Sequence, residues 1–243
     1  MLNLFRKEIN SFFNSLIAYI AISVFLIITS LFLWVFPLNY NIIQSGYANL
    51  DSLFQIGPYV FLFLIPAITM RFFSDEKKSG TIEMLLTKPL SDINIIMAKY
   101  LAGITLVLLS LIPTLIYFLT VYMFAAPHGN IDIGGIIGSY LGLLMLGAGF
   151  VAIGVFSSAI TENQIISFII AVFLCAMAFI GFEMLSSFEM FGSFDLFIKN
   201  LGMYSHYSSM GRGVIDSRDV IYFLSVITIF ILFTKIKLES RKW

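Results

Sequence analysis

Residues Ile133 to Ile160 read IGGIIGSYLGLLMLGAGFVAIGVFSSAI, without one Asp, Glu, Lys, Arg or His. A membrane helix needs about 20 mostly apolar residues to cross roughly 30 Å of hydrocarbon, and this run exceeds that. A helix apolar on every side belongs in the core of a large protein or in a bilayer. The chain has 243 residues, 59% of them apolar and 12% charged, whereas ordinary soluble domains carry about 25% charged residues. There is too little polar surface to cover a soluble globule. That balance excludes a soluble enzyme, a disordered tail and a disulfide scaffold. A net charge of zero also argues against nucleic-acid binding, which draws on a basic excess. The single cysteine, Cys175, lies in an apolar run and reads as a small buried hydrophobe.

Working outward, five similar runs flank the first. Upstream are Leu16 to Phe36, stopped by Pro37, then Ile56 to Phe73 with Pro58 and Pro66, and Ala98 to Ala126 with Pro113. Downstream are Ile165 to Leu185 and Val220 to Ile236. Proline frees the carbonyl four residues back and marks a bend that neighbours must support. Runs of this length exclude the alternating pattern of an outer-membrane barrel. The prediction is an all-α integral membrane protein, with residues 1–243 forming one domain of six spans. The apolar run after Arg6 and Lys7 is too long for a cleavable signal, and no small-x-small site follows it.

The charges give the orientation. Arg6 and Lys7 precede the first span; Arg71, Lys77, Lys78, Lys88 and Lys99 lie between the second and third; Lys235, Lys237, Arg241 and Lys242 follow the sixth. Only Lys199, Arg212 and Arg218 fall on the other side. By the positive-inside rule both termini are cytoplasmic, which fits an even number of spans.

Three segments outside the spans carry patterns. In residues 1–14, Leu2, Phe5, Ile9 and Phe12 recur at helical steps opposite Asn3, Arg6, Lys7 and Asn10, which predicts an amphipathic helix in the headgroup layer. Residues 74–98 form the largest cytoplasmic loop. In it Thr81 begins a short helix, Ile82, Leu85 and Leu86 share a face, and Pro89 stops it before Ser91 and Asp92 start the next. Such a charge-bracketed helix suits a groove on a soluble partner; the plainer alternative is a loop that only covers helix ends. Residues 182–218 are rich in aromatics, with Phe188, Phe191, Phe194 and Phe197 at steps of three. They predict short helices that dip into the outer leaflet or cap the bundle. Within the fourth span Gly134, Gly138 and Gly142 make small-x-x-x-small steps, which serve internal packing more readily than a specific dimer face.

The spans are nearly empty of chemistry. Arg71 and Glu183 sit at their ends, and an ion-coupled carrier needs buried ionisable groups along its path. No glycine is followed by lysine, so there is no phosphate-binding P-loop. No span pairs a histidine with a nucleophile or a second ligand; a copper site outside would rest on Met203, His206 and Met210.

Arg71, Asp75-Glu76, Gly80-Thr81-Ile82-Glu83-Met84-Leu85-Leu86-Thr87-Lys88-Pro89-Leu90 and Lys99 together resemble the signature of ABC-transporter permeases of the second exporter type. The segment Gly211 to Asp216 and the ending Leu238 to Trp243 resemble that family too. The closest likeness is to the gliding-motility-associated permease, although permeases for copper or sodium export and for nitrous-oxide reductase maturation share the loop. The resemblance implies an N-terminal elbow helix, a pair of short re-entrant helices before the sixth span, and a coupling helix. The coupling residues it implies are Glu76, Gly80, Thr81, Glu83, Leu85, Leu86, Lys88 and Pro89. It further implies a second permease protomer, a separate cytoplasmic ATPase that holds ATP and Mg, a companion protein with an outer domain, and the bacterial inner membrane. No cofactor is expected on this chain. A membrane scaffold that holds the ATPase without transporting anything is the alternative.

Overall fold

The computed structural model describes residues 1–86, 91–127, 129–188, 192–213 and 215–240, and every regular element among them is helical. Six helices are long and apolar enough to cross a membrane.

Helix α1 (Leu2–Phe13) stands apart from α2 (Leu16–Ser30). A π turn, Leu31–Val35, extends α2 to Phe36, whose extended backbone (φ −72°, ψ 130°) is the conformation that Pro37 imposes on the residue before it. After the short α3 (Ile42–Ser45), α4 (Asp51–Thr69) runs through both Pro58 and Pro66. It begins five residues before the expected Ile56, because Asp51 is favoured in a first turn, where backbone N–H groups are unpaired. The carbonyl that Pro58 leaves free is that of Phe54, and it accepts the Tyr207 hydroxyl at 2.6 Å.

The segment expected as a loop from residue 74 to 98 is mostly helix. α5 (Ser74–Lys78) follows α4 after a tight turn, α6 (Thr81–Leu86) follows Gly80, and α7 (Asp92–Leu111) begins well ahead of Ala98. Polar residues such as Asp92 and Asn94 extend a span beyond its apolar run where the helix end meets headgroups and water. Lys99 therefore lies inside a helix, not in a loop. A 3₁₀ turn at Pro113 (Ile112–Thr114) joins α7 to α8 (Leu115–Phe124), and the two make one bent span.

α9 (Ile133–Ile160) starts at Asp132, whose carboxylate accepts the Gly135 N–H at 3.0 Å. α10 (Gln164–Ala176) continues through a π turn into α11 (Phe182–Ser187). α12 (Asp195–Leu201) and α13 (Met203–Met210) lead to the last span, α14 (Ser217–Glu239). α9 is the hub: 78% of its most apolar stretch is buried, against 22–33% for the first, third, fifth and sixth spans. It packs on α4, α7, α10, α13 and α14. Several buried hydroxyls bond within their own helices, as with Thr29 on the Phe25 carbonyl at 2.8 Å and Ser157 on that of Ile153 at 2.9 Å.

Candidate functional site

α5 lies at the end of the bundle that carries most of the basic residues. Successive residues on a helix point about 100° apart, so Asp75, Glu76 and Lys77 reach three different neighbours. The Asp75 carboxylate accepts from the Gln164 amide at the start of α10, and Arg71 Nε lies 3.4 Å from its other oxygen. The Lys77 ammonium donates to the Ala159 carbonyl in the last turn of α9. Carbonyls there lack partners and the helix dipole favours a cation. Glu76 meets Lys99 at 3.0 Å and Lys7 at 3.4 Å.

Lys99 is the centre of this arrangement. Its side chain is 1% exposed, and besides Glu76 it pairs with Glu8 of α1 at 3.1 Å. The Phe73 ring lies 5.1 Å from its nitrogen. A buried ammonium is tolerated only when paired and hydrogen-bonded. Here two lysines and two glutamates balance around a small polar cavity of about 270 Å³, which Arg71, Asp75 and Ser79 also line. The ion cluster joins α1, at the start of the chain, to the sequence-distant α5 and α7.

Glu8 also fixes how α1 sits on the bundle. The buried residues are Leu4, Glu8 and Phe12, whereas Leu2 is 63% exposed. Pairing with Lys99 turns the helix so that this four-residue stripe faces inward, and Phe12 meets Phe72 edge-on at 5.4 Å. Glu8 belongs to neither face expected from the sequence, the apolar one of Leu2, Phe5, Ile9 and Phe12 or the polar one of Asn3, Arg6, Lys7 and Asn10. The same cluster corrects Glu76, expected to project toward a partner: it is turned into the protein. Lys99 in the second turn of α7 and Asp219 in the first turn of α14 are ionisable groups at span ends, and both are buried.

Of the other expected coupling residues, Gly80 adopts φ +70°, a conformation that favours glycine, and so reverses the chain between α5 and α6. Ile82 is buried and holds α6 down, while Thr81 and Glu83 are exposed. The Thr81 hydroxyl lies 2.9 Å from that of Ser79. Leu85 and Leu86 belong to α6; Lys88 and Pro89 lie outside the described residues.

The glycine stripe of α9 meets helices of the same chain. A Cβ at Gly138 would run into the Met210 carbonyl, and one at Gly142 would lie 3.2 Å from the Met210 side chain and 3.4 Å from that of Tyr207. Gly134 is open apart from its own cap, Asp132. α13 thus seats on Gly138 and Gly142, but not on Gly134.

The copper set is not assembled. Met203 and Met210 are fully buried as packing residues. His206 uses both ring nitrogens, Nδ1 on Asp219 at 2.7 Å and Nε2 on the Asn200 carbonyl at 2.9 Å, so neither is left for a metal. His206 also stacks on Tyr222 at 3.9 Å. Phe188, Phe194 and Phe197 are 63–69% exposed, so of the two arrangements expected they do not cap the bundle and remain open to the outer leaflet; Phe191 lies outside the described residues.

Six spans packed about α9, with a charged helical segment fixed to several of them at one end, define a multi-pass membrane protein. The family model described as ABC-2 family transporter protein matches residues 35–234, and the chain belongs to that family. It is the membrane permease component, which lacks ATPase activity, and ABC permeases pair with ATPase subunits. No curated protein sequence matches the chain. The match begins after α1 and α2, so Glu8 lies outside it.

Proposed function

We propose that the chain is the membrane-spanning half of an ATP-driven exporter of the bacterial inner membrane, and that the segment α5–α6 is where a separate ATPase transmits its stroke. The observation that carries this reading is the fan of Asp75, Glu76 and Lys77 onto α10, α7 with α1, and α9. A displacement of α5 is delivered at once to several spans through charged contacts, and close-packed helices pass on such shifts with little compression. α6 is the docking element: its exposed Thr81 and Glu83 face out, and Gly80 sets its angle to α5.

In this reading two permease protomers and two ATPase subunits assemble, and ATP with Mg binds only to the ATPase. The basic end is cytoplasmic, in keeping with the positive-inside rule, and α1 is the elbow helix along the membrane. The loop motif is shared with other permeases of the family; the overall likeness of the sequence to gliding-motility permeases supports that machinery as the specific system. A companion protein with an outer domain would receive the work. Both nitrogens of His206 are occupied, which favours this over copper export.

The test is co-purification with a candidate ABC ATPase co-expressed with the chain. Glu83→Arg is expected to abolish recovery of the ATPase while membrane insertion persists. Undiminished recovery with normal ATPase stimulation would remove α6 from the interface.

A further inference from the structure

At the end of the bundle away from α5, three helices meet on the last carbonyls of α12. Carbonyls in the final turn of a helix have no partner within it. Here the next two helices supply the partners. The Ser205 hydroxyl donates to the Lys199 carbonyl at 3.1 Å, His206 Nε2 lies 2.9 Å from the Asn200 carbonyl, and the Tyr222 hydroxyl donates to the Leu201 carbonyl at 2.6 Å. On its other side, His206 Nδ1 lies 2.7 Å from Asp219 Oδ1. A carbonyl and a carboxylate only accept, so both ring nitrogens are aimed at acceptors. A neutral imidazole carries one N–H and an imidazolium two. The pair satisfies both contacts only while it holds one proton more than a neutral ring beside a carboxylate.

The surroundings put that proton on the ring. Tyr222 stacks on the imidazole at 3.9 Å and 18°, and an aromatic face favours a cation. Asp219 stands in the first turn of α14, where unpaired N–H groups favour a carboxylate. It is 5% exposed, and its Oδ2 is buried without a hydrogen bond among the described residues, so an imidazolium is what balances its charge. Other charged groups on the packed elements are engaged elsewhere or open to water. Lys199 of α12 pairs with Glu183 of α11 at 3.6 Å, and Asp195 lies in the first turn of α12, away from its capped end. Asp216 and Arg218, where α14 begins, are exposed. α9 and the π turn Met177–Gly181 bring no charged residue. On α13 itself the other titratable groups are Tyr204 and Tyr207, and Tyr207 is committed to the Phe54 carbonyl.

We propose that His206 and Asp219 form a proton-binding latch on the outer side, which holds α12 against α13 and α14 when protonated and releases it when the proton leaves. The proton that departs to water is the one on Nε2. A hydrogen kept on Nδ1 still serves the buried carboxylate, whereas a bare Nδ1 would set a lone pair against it. The Asn200 carbonyl then faces a lone pair, and α12 loses one of its caps. Histidine changes charge between about pH 5 and 8, so the tie is complete at acid pH and is lost as the pH rises. α13 stays in place, because it is seated on Gly138 and Gly142 of α9. The element freed is α12, which carries the exposed Leu196 and Phe197. The latch needs no ATPase and is measured without one, so it stands or falls apart from the permease reading.

The experiment uses the purified full chain in detergent between about pH 5.5 and about pH 8.5, a range that brackets histidine titration. Ring-nitrogen NMR counts the protons on the imidazole, and hydrogen exchange read by mass spectrometry, corrected for the intrinsic effect of pH, follows α12. The chain has two histidines, so His128→Gln assigns the His206 signals. Both ring nitrogens should be protonated at the acid end, and a single hydrogen should remain on Nδ1 at the alkaline end. Exchange in α12 should be about tenfold faster at the alkaline end, the loss expected for one charge-assisted hydrogen bond. His206→Gln, whose amide can donate to Asn200 at any pH, should exchange alike at both ends. Asp219→Asn, which keeps an acceptor for Nδ1 but removes the charge, should move the change to lower pH. A ring with one N–H throughout, or with its hydrogen on Nε2 at the alkaline end, overturns the latch; this measurement on the unaltered His206 stands even where a variant fails to fold. So does exchange in α12 that ignores pH, or a pH dependence that survives His206→Gln.

Discussion

Lys99 Nζ lies 3.1 Å from a carboxylate oxygen of Glu8, a contact that spans 91 positions of sequence and is shut off from solvent. Glu76 completes the cluster at 3.0 Å. The pair fastens α1, outside the family match, to α7, inside it, and places both against α5. Burial of such a pair is weak grounds for added stability compared with an apolar core, but removing one member leaves a stranded charge. Its value here is geometric: it fixes how α1 and α5 sit on the spans.

Lys99→Met should therefore be the most damaging change in the cluster. It leaves Glu8 and Glu76 buried together with only Lys7, itself exposed, to balance them. A loss of about 3 kcal/mol or more is expected. Glu8→Gln should cost about 1.5 kcal/mol, because Glu76 still pairs with the lysine. Thermal unfolding of the full chain in one detergent checks the ordering; equal melting of both variants would contradict it.

Glu76 and Glu83, both within the same short segment, should separate cleanly. Glu76 is turned inward onto Lys99 and Lys7, whereas Glu83 is exposed. Glu76→Gln is expected to lower the melting temperature, with any ATPase still recovered from folded protein. Glu83→Arg is expected to leave melting within the ±0.5 kcal/mol usual for surface changes while recovery of the ATPase is lost. Measuring both quantities on both variants tests the division, and an exchange of the two phenotypes would refute it.

The glycines of α9 should differ just as sharply. Gly138→Ala drives a methyl group into the Met210 backbone carbonyl, which cannot rotate aside, and should cost about 1–3 kcal/mol as an overpacked core does. Gly134→Ala meets only the Asp132 side chain at 3.4 Å and should be neutral or gain up to about 1 kcal/mol from helix propensity. Unfolding of the two single variants decides it.

The bundle was legible because its signal is local: apolar runs gave six spans, and Phe36 ahead of Pro37 gave the end of the first almost to the residue. Span ends were read too short wherever polar residues continue a helix past its apolar core, as at Asp51 and Asp92. The candidate site was legible only in part. Gly80 and Thr81 announced a turn and a helix start, but the partner of Glu76 is a lysine in another helix, and periodicity says which face is apolar without saying what covers it. Glu8 left a usable trace, a lone carboxylate midway between Leu4 and Phe12 at steps of four, and Lys99 left the matching one in α7. Connecting them needs the fold.

The most exact test of the packing lies in span two. Pro58 lacks the N–H that would bond to the Phe54 carbonyl, and the Tyr207 hydroxyl supplies that bond at 2.6 Å from α13. Burial, reinforced by nearby Tyr204, raises the Tyr207 hydroxyl above its ordinary value of 10.0, which keeps it protonated as a donor. Tyr207→Phe should leave the carbonyl buried without a partner and cost about 1–3 kcal/mol. Pro58→Ala restores an N–H within the helix, so in that background the same tyrosine change should cost much less. The coupling energy from the four proteins of this cycle, read by thermal unfolding in detergent, should be about 1 kcal/mol or more. Additive effects would mean that the Tyr207 hydroxyl does not replace the hydrogen bond that Pro58 removes.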